Sequence, residues 1–463
     1  MIPLKASEIA RIVGGKLIGE DVLVTSPPVI NSEDATVGSF FLALKGESRD
    51  GHAFAEDAYA HGAVLTLASK SVNGTHIIVD DVIESLGKLA QHVRSTLKNL
   101  IVIGITGSQG KTTTKELLTS VLSSAAATVA PHGNFNNEIG MPISLLQCTS
   151  ETKYCIVEMG ARHQGDIAKL AGIAQPNIGV VLRVGSAHVG EFGSVEMIAK
   201  TKSELVSNLA PEGIAILGKY DKYTPQMASL HKGKSIFFGE DNQCDIRATD
   251  IEFREGRAHF DLVTPDGRAA VGLRIVGLHQ VANALAVAAV ASQLGFTLDQ
   301  IASGLSTAES FAHWRMEIIE LPHLLLINDA YNASPESVAA ALQTLKLFAQ
   351  ERGGESWAFL GKMHELGESS LSDHGAIGTL ASELGIDHLV CVGAPEYAGN
   401  LAETDAMSIH ICDDKAQALV IAENMNQGDV ALVKASRSEK LEELAQSISD
   451  SCRKKWNSEE MEQ

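Results

Sequence analysis

Basic residues are the scarce charge in this chain: 37 Lys and Arg stand against 57 Asp and Glu, a formal net charge of −20. That balance disfavours a nucleic-acid surface but leaves room for a local basic pocket that receives an anionic ligand. Cysteine is thin as well. Cys148, Cys155, Cys244, Cys391, Cys412 and Cys452 form no CxxC pair, which argues against a disulfide framework or a zinc site and fits a reduced cytosol. No apolar run reaches transmembrane length, so membrane insertion is not expected; the nearest, 281–296, is short, contains Gln293 and predicts a buried helix. Residues 1–14 mix acid and base with apolar residues, unlike a signal peptide. Repeats at solenoid or propeller spacing are missing, and the only biased tract is a polar end, 453–463, expected to fray.

What is present is ordinary globular material in quantity. The 463 residues exceed one usual core, and about three domains are expected. Aromatics make up only 5% while Gly and Ala abound, as in helix-covered parallel sheets, so the fold class reads as α/β. Residues 1–97 mix short strands at 39–44 and 76–79 with helical patterns at 5–13 and 83–97, a small N-terminal α/β domain. Residues 98–312 alternate apolar strands (100–105, 154–158, 178–182, 214–217) with helical stretches, a central parallel sheet of the P-loop ATPase type. Alternating strands between 245 and 275, with the turn Thr264-Pro265-Asp266-Gly267, extend it antiparallel. Residues 313–463 repeat the alternation, with strands near 324–328, 357–360, 388–392 and 430–434, a C-terminal Rossmann-like α/β domain.

The densest chemistry sits at Thr106-Gly107-Ser108-Gln109-Gly110-Lys111-Thr112, between an apolar strand and a helix-like stretch. Glycines let backbone N–H groups approach phosphate oxygens, the helix N-terminus adds its dipole, and Lys111 adds a point charge. Thr112 is positioned to hold Mg²⁺. Ile105 stands where the usual eight-residue pattern has its first glycine, so the loop is a shortened variant. Glu158 ends an apolar strand, at the carboxyl edge where open α/β sheets bind ligands, within reach of the same ion. An isolated strand-terminal Glu or a lone His188 is as a rule structural; the loop upstream favours function for Glu158.

Further strings in order resemble the Mur ligases, the ATP-dependent amide-forming family of peptidoglycan synthesis. They are Lys111-Thr112-Thr113-Thr114-Lys115-Glu116, Gly133-Asn134-Phe135-Asn136-Asn137-Glu138, Val157-Glu158-Met159-Gly160, Ala187-His188, Gly277-Leu278-His279 with Asn283, and Trp314-Arg315-Met316-Glu317. Asp329-Ala330-Tyr331-Asn332-Ala333-Ser334-Pro335-Glu336, Gly361-Lys362-Met363-His364-Glu365-Leu366-Gly367 and Lys434-Ala435-Ser436-Arg437 resemble the member that adds D-alanyl-D-alanine. An Asp-Asn-Pro-Arg string, which marks the sibling adding the third amino acid, does not occur. Two departures stand out: Asn31-Ser32-Glu33 where the family usually has Asp-Ser-Arg, and Gly218-Lys219 where an Asn and acidic residues are common.

The resemblance implies that residues 1–97 bind a UDP-sugar and that 98–312 bind ATP. It implies that 313–463 complete the ATP site and bind the amine. The substrates would be UDP-N-acetylmuramoyl-tripeptide and D-alanyl-D-alanine, joined through an acyl phosphate by a cytoplasmic enzyme expected to be a monomer. The nucleotide would be held by Gly107, Ser108, Gln109, Gly110, Lys111, Thr112, Thr113, Asn283, Arg315 and Asp329. Two Mg²⁺ ions would be held by Thr112, Glu158, His188 and Lys202, with Lys111, His188 and Lys202 as the catalytic residues. Lys202 matches the lysine that the family carbamylates with CO₂, and Lys200 is its control. Residues split across the second and third domains imply closure about a hinge at 311–314. Rival readings are another ligase of the superfamily, such as a folate-polyglutamylating enzyme, and a non-ligase P-loop ATPase.

Overall fold

Among the described residues, runs of aliphatic and β-branched side chains close into three successive sheets of five, nine and six strands, beside one two-stranded ribbon. The computed structural model describes residues 1–46, 49–131, 133, 135–187, 189–309, 313–399, 401 and 407–462. Asn134, His188, the expected hinge residue Phe311 and Ala312 at the expected domain boundary lie outside the described residues.

The first sheet orders Lys16–Ile18, His76–Ile78, Leu65–Ala68, Phe40–Leu42 and Pro28–Val29, parallel except at the Lys16–Ile18 edge. Its helix Val82–Thr96 starts where the Asp81 carboxylate accepts the Glu84 N–H at 2.9 Å, and it docks on the next unit through Arg94 Nε, which donates to the Ala174 carbonyl at 3.1 Å. One apolar cluster runs through both units, from Ile9, Leu65 and Leu89 to Met141, Val157 and Leu205.

The second sheet is parallel from Thr128–Val129 through Tyr154–Glu158, Ile101–Thr106, Ile178–Val181, Ile214–Gly218 and Lys234–Gly239 to Ile246–Arg254. Arg257–Thr264 and Gly267–Val276 then add antiparallel, on the turn expected at 264–267. Successive residues serve opposite faces: Val102 and Cys155 join the first cluster, while Ile103 and Ile156 join a second under the helices Lys111–Ser123 and Gln280–Gln293. Both faces are covered, so the strands read as continuous apolar runs.

The third sheet orders Glu317–Glu320, Leu325–Asn328, Val430–Lys434, Ser356–Leu360, His388–Val392 and Ser408–Cys412, parallel except for its first strand. Two differences from the sequence reading stand out. The edge strands 317–320 and 408–412 are additional, and the polar end expected to fray continues as the helix Glu442–Glu462. No helix among the described residues is long and apolar enough to cross a membrane.

Candidate functional site

The phosphate loop leaves the strand Ile101–Thr106 in the middle of the second sheet and enters the helix Lys111–Ser123 at its N-terminus. Gly110 is the cap residue with φ 82°, and an added Cβ there would strike the Asn283 amide, so only glycine fits. Lys111 Nζ donates to the Gly107 carbonyl at 2.7 Å, folding the ammonium back over the loop. Thr112 Oγ1 donates to Glu158 Oε2 at 3.1 Å, and Asn136 Nδ2 donates to Glu158 Oε1 at 2.9 Å.

A cavity of about 790 Å³ opens over this loop. Of the residues expected from sequence, Ser108, Gln109, Gly110, Lys111, Thr112 and Glu158 line it, joined by Lys202 and by Arg315 from beyond the second sheet. Gly107, Thr113, Asn283 and Asp329 do not. Thr113 faces a neighbouring cavity of about 700 Å³ that shares Arg315. Asn283 is buried beneath the loop, accepting from Thr114 Oγ1 at 3.3 Å and donating to Gln280 Oε1 at 2.8 Å. Asp329 is paired with Lys434 Nζ at 2.6 Å and accepts the Met316 N–H at 3.1 Å, so it fixes the backbone beside Arg315. Trp314 and Met316, either side of Arg315, have φ of 60° and 50°, left-handed values that cost bulky residues roughly 1–3 kcal/mol each. The Arg315 guanidinium lies over the Tyr331 ring at 3.8 Å.

Electrostatics here reverse the sign of the whole chain. Lys111 and Lys115 lie within the field of one buried carboxylate, Glu158, and Lys202 and Arg315 line the same cavity as Lys111. Burial holds the Lys111 ammonium below its usual pKa, with Glu158 opposing and Arg315 assisting. Lys202 is driven well below the usual lysine value, first by burial and then by the charge of Lys111. Lys200, two residues away on the same helix, is exposed. The Thr112 hydroxyl and the Glu158 carboxylate, whose two hydrogen-bond partners are neutral, supply the hard oxygen donors that suit Mg²⁺.

Three contributors escaped the sequence reading. Asn136 orients Glu158; Lys115 Nζ donates to the carbonyls of Pro131 and Gly133, both at 2.9 Å; Glu336, from the third unit, reaches Gln109 of the loop and the Ser186 N–H. Each lies inside a string singled out above, but a role that depends on a partner far along the chain has no local signal.

Comparison with known proteins follows the same outline. The family description "Mur ligase middle domain" matches residues 105–291, and "Mur ligase, glutamate ligase domain" matches 314–437. A UDP-N-acetylmuramoyl-tripeptide–D-alanyl-D-alanine ligase of Mycobacterium tuberculosis is 38% identical, covering 98% of this chain and 99% of its own. A crystal structure of MurF from Acinetobacter baumannii superposes with a TM-score of 0.88 at 34% identity, over 97% of this chain and 99% of the other. MurF from Thermotoga maritima in complex with ADP gives 0.81 at 31% identity, over 93% and 99%.

Proposed function

The chain belongs to the Mur ligase family, and from that premise we propose that it is the ATP-dependent, ADP-forming ligase that joins D-alanyl-D-alanine to UDP-N-acetylmuramoyl-tripeptide. The observation that carries this reading is the convergence of Lys111, Thr112, Glu158 and Lys202 with Arg315 on one cavity. The rival readings lose ground because full-length relatives above 30% identity carry the dipeptide-adding name.

Amide formation needs the carboxylate oxygen turned into a leaving group. ATP supplies this as an acyl phosphate, which the amine of D-alanyl-D-alanine then attacks, releasing phosphate. The chain's contribution is position and charge. Backbone N–H groups of 107–112 and the ammonium of Lys111 receive the phosphates; Arg315, braced on Tyr331, approaches from the third sheet. Mg²⁺, two ions in this reading, would be held by Thr112, Glu158, His188 and Lys202, and would neutralise phosphate charge. Lys202 would serve as a carbamate, its neutral amine adding CO₂ with loss of one proton. A lowered pKa supports that assignment, since only the neutral amine reacts. We assign 1–97 to the UDP-sugar, 98–312 to ATP and 313–463 to the amine and closure, acting as a monomer in the cytoplasm.

The test is phosphate release with ATP and tripeptides ending in lysine or diaminopimelate, each with and without D-alanyl-D-alanine. Release that requires the dipeptide, with the amide product detected, is expected. Release indifferent to the dipeptide would mean an ATPase instead.

A further inference from the structure

The third unit meets the phosphate loop through the side chains of Glu336 and Ser334. Glu336 is the second residue of the helix Pro335–Arg352, and its Oε1 accepts the Ser186 N–H at 2.7 Å. Its Oε2 lies 3.5 Å from Gln109 Nε2, which also donates to Ser334 Oγ at 3.1 Å. From the other side, Ser108 Oγ accepts the Gly185 N–H at 2.9 Å, and the Ser108 N–H reaches the Arg183 carbonyl at 2.9 Å. Three distant segments, 108–109, 183–186 and 334–336, therefore meet at one carboxylate. The crossing is tight: a Cβ added at Gly185 would come within 3.0 Å of Glu336 Oε1. Four residues after Ser186, the Gly190 N–H donates to the Glu365 carbonyl at 2.9 Å. Ser186 and Gly190 are thus each bound to the C-terminal unit, once by a side chain and once by backbone.

An acidic group beside a phosphate cradle opposes anion binding, a cost that its hydrogen bonds must offset. Here two central-domain donors bond to the carboxylate, and a charge-assisted bond to a backbone N–H is roughly twice as strong as a neutral one. We infer that Glu336 is a positioning residue for phosphoryl transfer: its carboxylate sets the 183–186 backbone against Ser108 and Gln109, so that the loop takes its working geometry only when the C-terminal unit is docked. This rests on the ATP-dependent ligase reading. Aspartate is one methylene too short for the span. Glutamine keeps an acceptor for Ser186 but turns an amide N–H₂ toward that of Gln109.

The experiment is steady-state kinetics of the full chain with ATP, the UDP-linked tripeptide and D-alanyl-D-alanine, for wild type, Glu336→Ala, Glu336→Asp and Glu336→Gln. We expect Ala and Asp to lower kcat on the order of 10²-fold with the KM for ATP little changed, the loss typical of a misplaced reactive group. Gln, which is isosteric, should recover a large part. Wild-type kcat in Glu336→Ala overturns the inference, and so does a joint collapse of kcat, ATP affinity and melting temperature that Gln fails to rescue. Amide exchange adds a readout independent of turnover: with a nonhydrolysable ATP analogue bound, the Ser186 and Gly190 N–H groups should be protected in wild type and not in Glu336→Ala. Equal protection overturns the inference as well. A wild-type enzyme that makes no amide would instead sink the ligase reading, whatever Glu336 does.

Discussion

At the scale of single residues, the site holds its lysines in an environment that water would not give them. Lys111 is folded onto the Gly107 carbonyl and faces Glu158 and Arg315, so its charge is available without reorganisation when phosphates arrive. Lys111→Ala should therefore lower kcat/KM on the order of 10²-fold or more with an unchanged circular dichroism spectrum. A folded variant with near wild-type ADP production would remove the phosphate-cradle assignment. Lys202 makes a different claim. Burial and Lys111 push its pKa down, so the native state binds fewer protons there than the unfolded chain does. Stability at this position is complete above the unfolded lysine pKa, ~10.4, and falls away as pH drops toward the lowered native value. In CO₂-free buffer at neutral pH, Lys202→Met should thus raise stability by about 1 kcal/mol while abolishing turnover. Lys202→Ala should be partly rescued by short carboxylic acids, and Lys200→Ala should stay active. If CO₂ removal and both Lys202 substitutions leave the rate alone, the residue is only a buried lysine.

At the scale of elements, the helix Gln280–Gln293 ties the phosphate loop to the third sheet. Asn283 packs under Gly110, and His279, just before the helix, faces Asp329, Lys434 and Arg183. Burial lowers the His279 pKa from 6.5 to about 4, against the pull of Asp329 and with Lys434 and Arg183 assisting. The native state therefore prefers the neutral ring; this stability is complete above 6.5 and is lost as pH falls toward about 4. Thermal melts across that window should show His279→Gln with a shallower acid loss than wild type, and identical slopes would refute the assignment. Elements also mark what could be read beforehand. The strands Ile101–Thr106 and Tyr154–Glu158 were legible because burial on both faces makes them unbroken apolar runs. Ser408–Cys412 was not: it is an edge strand whose Ser-Ile-His-Ile alternation is short and does not follow burial, with Ile411 59% exposed. The pairing of Thr112 with Glu158 followed from strand order, whereas the bond from Ser186 to Glu336 spans 150 residues and two sheets, which no local pattern encodes.

At the scale of the whole molecule, two unlike contacts stand out among those that dock the C-terminal unit, beside polar bonds such as Glu255 N–H to Glu351 Oε1 at 3.2 Å and Gln109 Nε2 to Ser334 Oγ at 3.1 Å. One is apolar: Val276, Met316 and Phe348 share a core cluster, and the Phe348 ring covers Gly256 so closely that a Cβ there would collide with it. The other is the polar clasp at Ser186 and Gly190. Water competes well for polar bonds and poorly for buried apolar surface, so the clasp should open while the apolar contact serves as pivot. The expected closure of the third domain thus corresponds to a conformation in which Arg315 already lines the cavity with Lys111. Ligands can favour this conformation only through greater affinity for it than for the open one, and a triphosphate contacted from both sides of the cavity supplies that difference. The Asp329–Lys434 pair must survive the motion: the Lys434 side chain is 2% exposed, and leaving it unpaired would cost roughly 3–5 kcal/mol. Asp329→Asn, which loses the charge but keeps an oxygen acceptor for the Lys434 ammonium or the Met316 N–H, is a milder probe than Asp329→Ala, and it should weaken turnover without unfolding the sheet. Small-angle scattering should then show the radius of gyration falling when a nonhydrolysable ATP analogue and the UDP-linked tripeptide bind together, in wild type but less in Glu336→Ala. A radius unchanged in wild type would mean that the clasp is closed before any ligand arrives, and closure would no longer explain how the split site is assembled.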